Sequence, residues 1–188
     1  MRKLSLLLLF ITFVLVSSTV YGVEKKAALG AGNIALKFDY IKFTDDGLKD
    51  TDTDTGLYVG LEGYGKIVPN LYLGGELGYA NIEGDPYFGN TELTYVPLEL
   101  NIKYATEIVP SLTIDIGTGI SYNYGKFEVS SSSIDDWLFG GQFFAGANYT
   151  IDRFFIGING KYKLTEDFKD FDFNLNNWTI GGQIGVMF

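Results

Sequence analysis

Apolar and polar residues alternate with a period of two through most of the chain, which is the pattern of β-strands with two different faces. In each predicted strand one parity is large and apolar, and the other is polar or small. The alternation predicts eight strands, over Asn33 to Phe43, Gly56 to Lys66, Leu71 to Asn81, Leu93 to Tyr104, Leu112 to Tyr124, Asp136 to Tyr149, Arg153 to Leu164 and Asn177 to Phe188. We therefore expect an all-β protein.

The connections between these strands alternate between short and long. Lys66-Ile67-Val68-Pro69-Asn70 and Glu107-Ile108-Val109-Pro110-Ser111 are near copies, and Thr150-Ile151-Asp152-Arg153 stands where a third copy would fall. One hairpin plus one long loop is therefore repeated along the chain. Short turns at one end and long loops at the other are typical of outer-membrane β-barrels. The long connections are Thr44 to Thr55, Ile82 to Thr91, Gly125 to Asp135 and Thr165 to Asn176.

The small and polar parity of the strands indicates which face lies inside. An eight-stranded barrel has an interior only just wide enough for side chains, so small residues fit its lumen. On a soluble exterior the same glycines would weaken the strands. The apolar face carries almost no charge, and we expect it to face lipid. The glycines on the inner parity are Gly74, Gly78, Gly117, Gly119, Gly140, Gly146, Gly157, Gly181 and Gly185.

Aromatic residues on the apolar face group at the two ends of the strands, with Leu, Ile and Val between them. Rings with polar tips are favoured at the boundary between membrane and water. The end near the long loops has Tyr40, Tyr79, Tyr122, Trp137, Tyr162 and Trp178. The end near the short turns has Tyr104, Tyr149, Phe154 and Phe188. This arrangement predicts two aromatic girdles around a transmembrane barrel.

The inner parity also carries charged and amide side chains, with acids and lysines nearly balanced. A buried charge without a partner is costly, so we expect a salt-bridge network that plugs the lumen. A narrow, gated pore is the alternative. The predicted network consists of Lys37, Asp39, Glu62, Glu76, Glu99, Lys103, Asp115, Lys161 and Lys163. The amides predicted to accompany it are Asn101, Gln142, Asn148, Asn159 and Gln183.

The first 22 residues have the pattern of a secretory signal peptide. Arg2 and Lys3 precede an apolar run from Leu4 to Val16, and small residues lead to Gly22. The run is too short for a spanning helix, which needs about 20 apolar residues. We predict a signal peptide over residues 1–22 and an exported barrel domain over residues 23–188, with an N-terminal membrane anchor as the alternative.

Negative charge is concentrated in the long connections. The formal net charge is −9, and losing the two basic residues of the predicted signal peptide makes it −11. An acidic surface repels nucleic acid, which we exclude as a partner. We expect the loops to bind a surface partner and to attract divalent cations between neighbouring anionic lipids.

The chain offers little catalytic or metal-binding chemistry, because it contains no Cys and no His. A serine with only a carboxylate beside it is a weak nucleophile. The stretch from Asp50 to Asp54 resembles the start of a calcium loop, which requires Gly at its sixth position and Glu at its twelfth. Those positions are Thr55 and Leu61. We therefore predict no catalytic, metal or cofactor site and no enzymatic activity.

Two local features have open interpretations. Pro97 lies in mid-strand and must lose one ladder hydrogen bond, which predicts a bulge or a kink, with a lateral exit for an apolar ligand as the alternative. The stretch from Asp167 to Phe173 alternates acidic and aromatic residues. It predicts a hairpin extending above the membrane or a surface tip that binds a partner.

The strand from Tyr95 to Tyr104 and the terminal Val186-Met187-Phe188 resemble the small eight-stranded outer-membrane barrels of the opacity-type and outer-membrane-protein-A-like family. The resemblance implies an antiparallel up-and-down transmembrane barrel in a bacterial outer membrane, surrounded by outer-membrane lipids. In that family the barrel-assembly machinery reads a final strand that ends in an aromatic residue. The family's usual glycine five residues before the end is Gln183 here. The corresponding residues are Trp178, Ile180, Gly182, Ile184, Val186 and Phe188.

The function expected from pattern and resemblance is a structural or surface-interaction role through the acidic loops, without enzymatic activity. A narrow pore or transporter for small solutes or hydrophobic molecules is the first alternative. A soluble periplasmic barrel that binds lipid is the second.

Overall fold

A computed structural model of the chain describes residues 28–84, 91–129, 132–168 and 173–188. Eight antiparallel strands form a closed barrel in which each strand pairs with its sequence neighbours and the last pairs with the first. The strands are β1 Gly32–Phe43, β2 Thr55–Val68, β3 Leu71–Glu83, β4 Thr91–Val109, β5 Leu112–Val129, β6 Ser132–Ile151, β7 Phe154–Thr165 and β8 Asn177–Met187, and one short helix, α1 Asp46–Asp50, follows β1. The predicted up-and-down barrel is confirmed, while the predicted signal peptide lies outside the described residues.

No helix within the described ranges is both long and apolar enough to cross a membrane.

The barrel wall is taller on one side than on the other. Strands β4, β5 and β6 have 19, 18 and 20 residues, whereas β1, β7 and β8 have 12, 12 and 11. Pairing between β5 and β6 continues to Val129 and Ser132, so the predicted loop from Gly125 to Asp135 is largely a hairpin. The prediction of a loop was wrong there, because the strands continue above the apolar band, where serines and charged residues replace the apolar residues of the alternating pattern.

The three short turns share one backbone feature. Each has a residue in the left-handed region, at Asn70 with φ 66°, Ser111 with φ 68° and Asp152 with φ 54°. Asn and Asp tolerate this conformation better than most residues because their short polar side chains bond locally. Irregularities in the ladder immediately precede the first two turns, as expected for near-copies of one sequence. The predicted repeat of hairpins is confirmed.

The two faces of each strand have the predicted parity. Leu98 and Leu100 are 56% and 55% exposed on the outer face, whereas Glu99 between them is 4% exposed inside the barrel. A soluble lipid-binding barrel has the opposite arrangement, with its apolar face inside. The outer apolar surface thus surrounds a polar interior.

The aromatic residues at both ends of the outer face are as predicted. At the long-loop end Tyr122 stacks on Trp137 with ring centroids 4.8 Å apart, and Tyr40 contacts Trp178 at 5.5 Å. At the turn end Phe188 is 69% exposed on the outer surface. Leu, Ile and Val side chains, together with Phe38 and Phe143, occupy the band between these two rings of aromatic residues.

The seam between β8 and β1 closes the barrel down to the last residue. The carbonyl oxygen of Phe188 accepts hydrogen bonds from Ala31 N at 2.7 Å and Gly32 N at 2.9 Å, and Phe188 N donates to Gly32 O at 2.9 Å. Closure matters in a membrane because lipid has no partner for an open strand edge. Along this strand Ile180 and Ile184 point outward and Gly182 pairs with Phe38. Recognition of the strand by assembly machinery stays a prediction.

Candidate functional site

The interior of the barrel has three layers along its axis. A belt of charged and amide side chains occupies the middle, and an apolar cluster closes each end. All the polar side chains predicted to face the lumen lie in the belt, and none is more than 8% exposed. The candidate functional features are therefore this belt, its two closures and the surface above the long-loop end.

A chain of ion pairs runs through the belt. Lys103 Nζ lies 3.2 Å from Glu62 Oε1. Glu62 Oε2 lies 3.7 Å from Lys37 Nζ, which is 3.0 Å from Glu76 Oε2. Because β1, β2, β3 and β4 supply these four residues, the pairs tie one half of the wall together.

The chain continues across the lumen through β7. Lys161 Nζ lies 2.8 Å from Glu76 Oε1 and 2.7 Å from Glu99 Oε1, which Lys163 Nζ also approaches to 2.7 Å. Strand β7 is opposite β3 in a ring of eight, so these bonds cross the whole lumen. Removing one member would leave a buried charge without its partner, which is strongly destabilising.

Two carboxylates of the predicted network do not join the ion pairs. Asp39 Oδ1 accepts a hydrogen bond from Asn159 Nδ2 at 3.0 Å, and Asp115 Oδ2 accepts one from Asn148 Nδ2 at 2.7 Å. Within the described residues neither lies within 4 Å of a lysine ammonium. The lysines point toward the glutamates on β2, β3 and β4, and amides take their place at the two aspartates.

Bridges between side chains explain the glycines of the inner face. A Cβ on Gly119 would overlap Asn101 Oδ1, which accepts a hydrogen bond from Gln142 Nε2 at 2.7 Å. This bond passes over β5 and joins β4 to β6. In the same way a Cβ on Gly181 would overlap Asp39 Oδ1, whose bond to Asn159 passes over β8. Glycine is needed on a strand where side chains from the strands on either side of it hydrogen-bond across it.

Four buried tyrosines also belong to the lumen and are absent from the predicted set. The Tyr58 hydroxyl donates to Glu76, and the Tyr95 hydroxyl donates to Asn123 Oδ1 at 3.0 Å. Lys103 Nζ lies 3.7 Å from the centre of the Tyr64 ring. Their parity is the signal that identifies them, because they share it with the glutamates of the same strands. The four are Tyr58, Tyr64, Tyr72 and Tyr95.

The closure at the long-loop end is apolar, although the sequence predicts a polar lumen throughout. Leu48 of α1 and Phe168 and Leu175 of the last connection pack on inward residues of the strand ends. Beyond Asp39 the inward-facing residues of β1 are apolar, and the prediction of a polar lumen missed this change. The strand residues of this loop-end cluster are Ile41, Phe43, Tyr58, Ala80, Ile82, Leu93, Tyr95 and Leu138.

Hydrogen bonds hold the loops of this closure together. Asp45 caps α1 by accepting from Gly47 N at 2.9 Å, and its other oxygen accepts from Asn174 N at 3.1 Å. Phe168 is buried and stacks on Phe173 with ring centroids 4.2 Å apart. A bridge between Asp167 and Asn174 gives this connection hairpin character, while residues 169–172 lie outside the described ranges.

The closure at the turn end uses the segment before β1. Leu29 is 1% exposed and packs with Tyr64, Tyr72 and Ala105. Leu29 N donates to the Tyr72 hydroxyl at 3.0 Å, and that hydroxyl donates to Gly30 O at 3.2 Å. The start of the described chain thus folds under the barrel and fills its opening.

The surface at the long-loop end, here called the crown, comprises the described parts of residues 44–55, 82–91, 125–135 and 165–176. The lysines that the structure describes at this end each lie in an ion pair, Lys42 with Asp54 at 3.5 Å, Lys49 with Asp46 at 2.7 Å and Lys126 with Glu128 at 2.9 Å. The remaining exposed acids are Asp50, Asp52, Glu83, Asp135, Glu166 and Asp167.

Electrostatics in the crown are dominated by carboxylates. The hydrogen bond from Lys49 keeps the pKa of the Asp46 carboxyl below its usual value, so this acid stays ionised at neutral pH. Among the described residues no group of three His, Cys, Asp or Glu side chains is arranged to hold a metal ion. The crown presents a diffuse negative field.

An apolar cavity of about 320 Å³ lies beside the closure, between α1 and the β5–β6 hairpin. Leu48, which belongs to the loop-end cluster, forms part of its wall, so the cavity borders the closure. The other lining residues are Gly47, Phe127, Val129, Ser132, Ser133, Ile134 and Phe173.

The ladder between β3 and β4 is interrupted at Pro97. Leu77 pairs with Leu98 and Ala80 pairs with Tyr95, but the two pairs between them are missing. The register is the same on both sides of this gap, so the expected bulge is not formed. On its other side Pro97 pairs with Asn123 in regular register. Proline has no N–H to donate, so the wall is locally weaker at Pro97, but the register of the two strands is unchanged.

Comparison with known proteins places this architecture among outer-membrane β-barrels. A family model described as outer membrane protein beta-barrel domain matches residues 6–188. Neisserial surface protein A (NspA) has a similar structure, with a TM-score of 0.67 at 10% identity over 85% of this chain and 98% of that one. OprG from Pseudomonas aeruginosa has a TM-score of 0.57 at 15% identity over 88% of this chain and 100% of that one.

A third similar structure is Ail, the attachment invasion locus protein of Yersinia pestis, solved with the heparin analogue sucrose octasulfate. Its TM-score is 0.53 at 12% identity, with 82% of this chain and 97% of that one covered. At such low sequence identity, the similarity to these structures shows a shared fold alone. No curated protein sequence matches the chain.

Proposed function

Because the chain belongs to the outer membrane protein β-barrel domain family, we propose that it is a non-enzymatic outer-membrane protein whose closed barrel presents an acidic crown to basic partners outside the cell. The observation that carries the proposal is the filled lumen. Apolar clusters close both ends, and ion pairs cross the space between them. A barrel filled in this way leaves its surface as the functional part.

The chemistry of the crown favours a positively charged partner. The described lysines of this end are already paired with crown acids, and the exposed acids outnumber them. Fields of one sign attract oppositely charged partners at long range and raise their association rate. We therefore expect basic proteins or peptides to bind and sulfated polysaccharides such as heparin to be repelled.

The test uses the barrel reconstituted in liposomes and a fluorescent oligolysine peptide. We expect binding that weakens as salt approaches 1 M, where the screening length falls to about 3 Å. Neutralising Asp46, Asp50 and Asp52 together to Asn should weaken binding, whereas neutralising Asp152 at the turn end should not. Equal binding by all these proteins, or preference for heparin over oligolysine, would contradict the proposal.

A second candidate function is passage of small apolar molecules into the membrane. Its support is the apolar cavity beside Leu48, together with the interrupted ladder at Pro97. An apolar fluorophore added outside proteoliposomes should then enter the bilayer faster than in protein-free liposomes. Phe127→Asp, which places a charge in the cavity wall, should abolish the difference, while Thr94→Asp, which lies outside the cavity lining, tests for an effect of charge alone.

A further inference from the structure

Of the five buried side-chain oxygen atoms without a hydrogen-bond partner within the described residues, three lie on adjacent strands on one side of the lumen. They are Asp39 Oδ2 on β1, Asn159 Oδ1 on β7 and Thr179 Oγ1 on β8. The residues that carry them are 2%, 8% and 4% exposed. Buried polar atoms of native proteins are almost always satisfied, so three on adjacent strands require an explanation.

The register places the three residues around Gly181. Asp39 and Asn159 both pair with Gly181, one from each side, and their side chains join across it at 3.0 Å. Thr179 lies two residues before Gly181 on the same face, diagonal to both partners. Diagonal neighbours in a sheet are about 7–8 Å apart at Cα, with their Cβ atoms somewhat closer. The three residues are therefore neighbours on one patch of the inner wall.

The charges of the belt do not balance. Its carboxylates are Asp39, Glu62, Glu76, Glu99 and Asp115, and its lysines are Lys37, Lys103, Lys161 and Lys163, which leaves one negative charge in excess. Lys37 and Lys161, the lysines nearest to Asp39 along the strands, direct their ammonium groups to Glu76. Asp39 and Asp115 are thus buried carboxylates without an ion pair in the described lumen, and such charges are costly. Of the two, Asp39 is the one with an oxygen that lacks a hydrogen-bond partner.

We propose that Asp39, Asn159 and Thr179 bind one monovalent metal cation, such as Na⁺, inside the lumen. A carboxylate, an amide carbonyl and a hydroxyl oxygen are hard ligands, and one positive charge balances the belt. A water molecule satisfies the oxygens but leaves the charge. A proton on Asp39 also removes the charge, and because the Thr179 hydroxyl is itself a donor it can pass a hydrogen bond on to Asn159 Oδ1, so the dependence of stability on sodium is needed to separate the cation from the proton. A divalent ion would reverse the imbalance. The sequence predicts no metal site, because these ligands come from three strands without a motif.

The test measures urea unfolding of the full barrel, purified from outer membranes in detergent, in sodium chloride and in choline chloride at equal concentration. A cation that binds only the folded state lowers the unfolding equilibrium constant by about 100-fold when present at 100 times its Kd. We expect this effect from sodium and not from choline, which screens the acidic crown equally well. Asp39→Asn should abolish it, and the crown variant Asp46→Asn should retain it.

Two further measurements keep the result unambiguous. Thr179→Val retains every charge but removes one ligand, so it should weaken the sodium effect even if Asp39→Asn fails to fold. Crystals grown with thallium(I) should show an anomalous peak between the three oxygens. Equal stability in sodium and choline, or no peak, overturns the proposal. A stability that depends on pH and not on the cation also overturns the proposal, because Asp39 would then be neutralised by a proton. The titratable groups that share this part of the lumen with Asp39 are Lys37, Lys161, Glu76 and Tyr58.

Discussion

The two faces of the barrel wall are built from the same strands but follow different rules. On the outer face many apolar side chains are interchangeable, because lipid requires only size and the absence of charge. On the inner face each side chain has a specific partner, such as Glu99 with Lys161 and Lys163 or Asn101 with Gln142. The outer face thus places the protein in a membrane, and the inner face determines its particular closed barrel.

The largest effect is expected inside, at the meeting point of two lysines. Glu99→Gln leaves Lys163 without its carboxylate and Lys161 with only Glu76. Breaking a buried ion pair costs about 3–5 kcal/mol of unfolding free energy. Urea titration in lipid vesicles measures the loss, and Glu107→Gln at the exposed turn is the control. Equal stability of the two variants would show that the ion pairs do not hold the wall.

The matching change on the outer face should cost somewhat less. Leu98→Arg places a charge in the apolar band, at a cost of about 2–4 kcal/mol near the bilayer midplane. Folding yield into vesicles measures it, with Leu98→Ile as the control. If Leu98→Arg folds normally and Glu99→Leu inserts better than the natural protein, the assignment of the two faces is inverted.

Glycine offers a direct comparison between the faces. Gly119→Ala inserts a methyl group into the bridge between Asn101 and Gln142, and overpacking of this kind costs about 1–3 kcal/mol. On the outer parity a Cβ at Gly160 would meet only Thr179 O, at 3.7 Å. Gly160→Ala should therefore unfold at the same urea concentration as the natural protein or a higher one. A similar loss at both positions would remove the distinction.

The smallest effect is expected in the upper ring of aromatic residues. Tyr122→Leu removes the stack on Trp137, and such contacts contribute about 0.5–1.5 kcal/mol. Its urea midpoint in vesicles should fall slightly, while Ile120→Leu in the apolar band should leave it unchanged. A loss as large as that of Glu99→Gln would mean that the outer face is not interchangeable.

Periodicity was sufficient to predict the strands, which residues face inward and outward, and the aromatic residues at the two ends of the outer face. Leu98, Glu99 and Leu100 alternate in the sequence as they alternate in space. Which lysine meets which glutamate was beyond this reasoning, because Lys161 reaches Glu76 across the barrel and no local pattern encodes that distance. The sequence therefore predicted the charged members of the belt without their pairing, and it placed Asp39 and Asp115 in ion pairs that they do not form.

The two closures were missed for a different reason. Leu48 and Leu175 lie in connections with no regular period, so their burial depends on tertiary contacts alone. Leu29 precedes the first strand and is buried by its packing with Tyr64, Tyr72 and Ala105 and by its hydrogen bond to the Tyr72 hydroxyl. In the β5–β6 hairpin the strands rise above the apolar band, where alternation no longer distinguishes lipid from lumen.

The central claim is that the lumen is closed at both ends and filled between them. The most direct test is the conductance of the purified barrel in planar lipid bilayers, with its folded state verified by the heat-dependent shift in SDS gel mobility. Because the lumen is closed and filled, folded protein should enter the bilayer without current steps. Regular, unitary steps from folded protein would contradict it and establish a pore through the ionic belt.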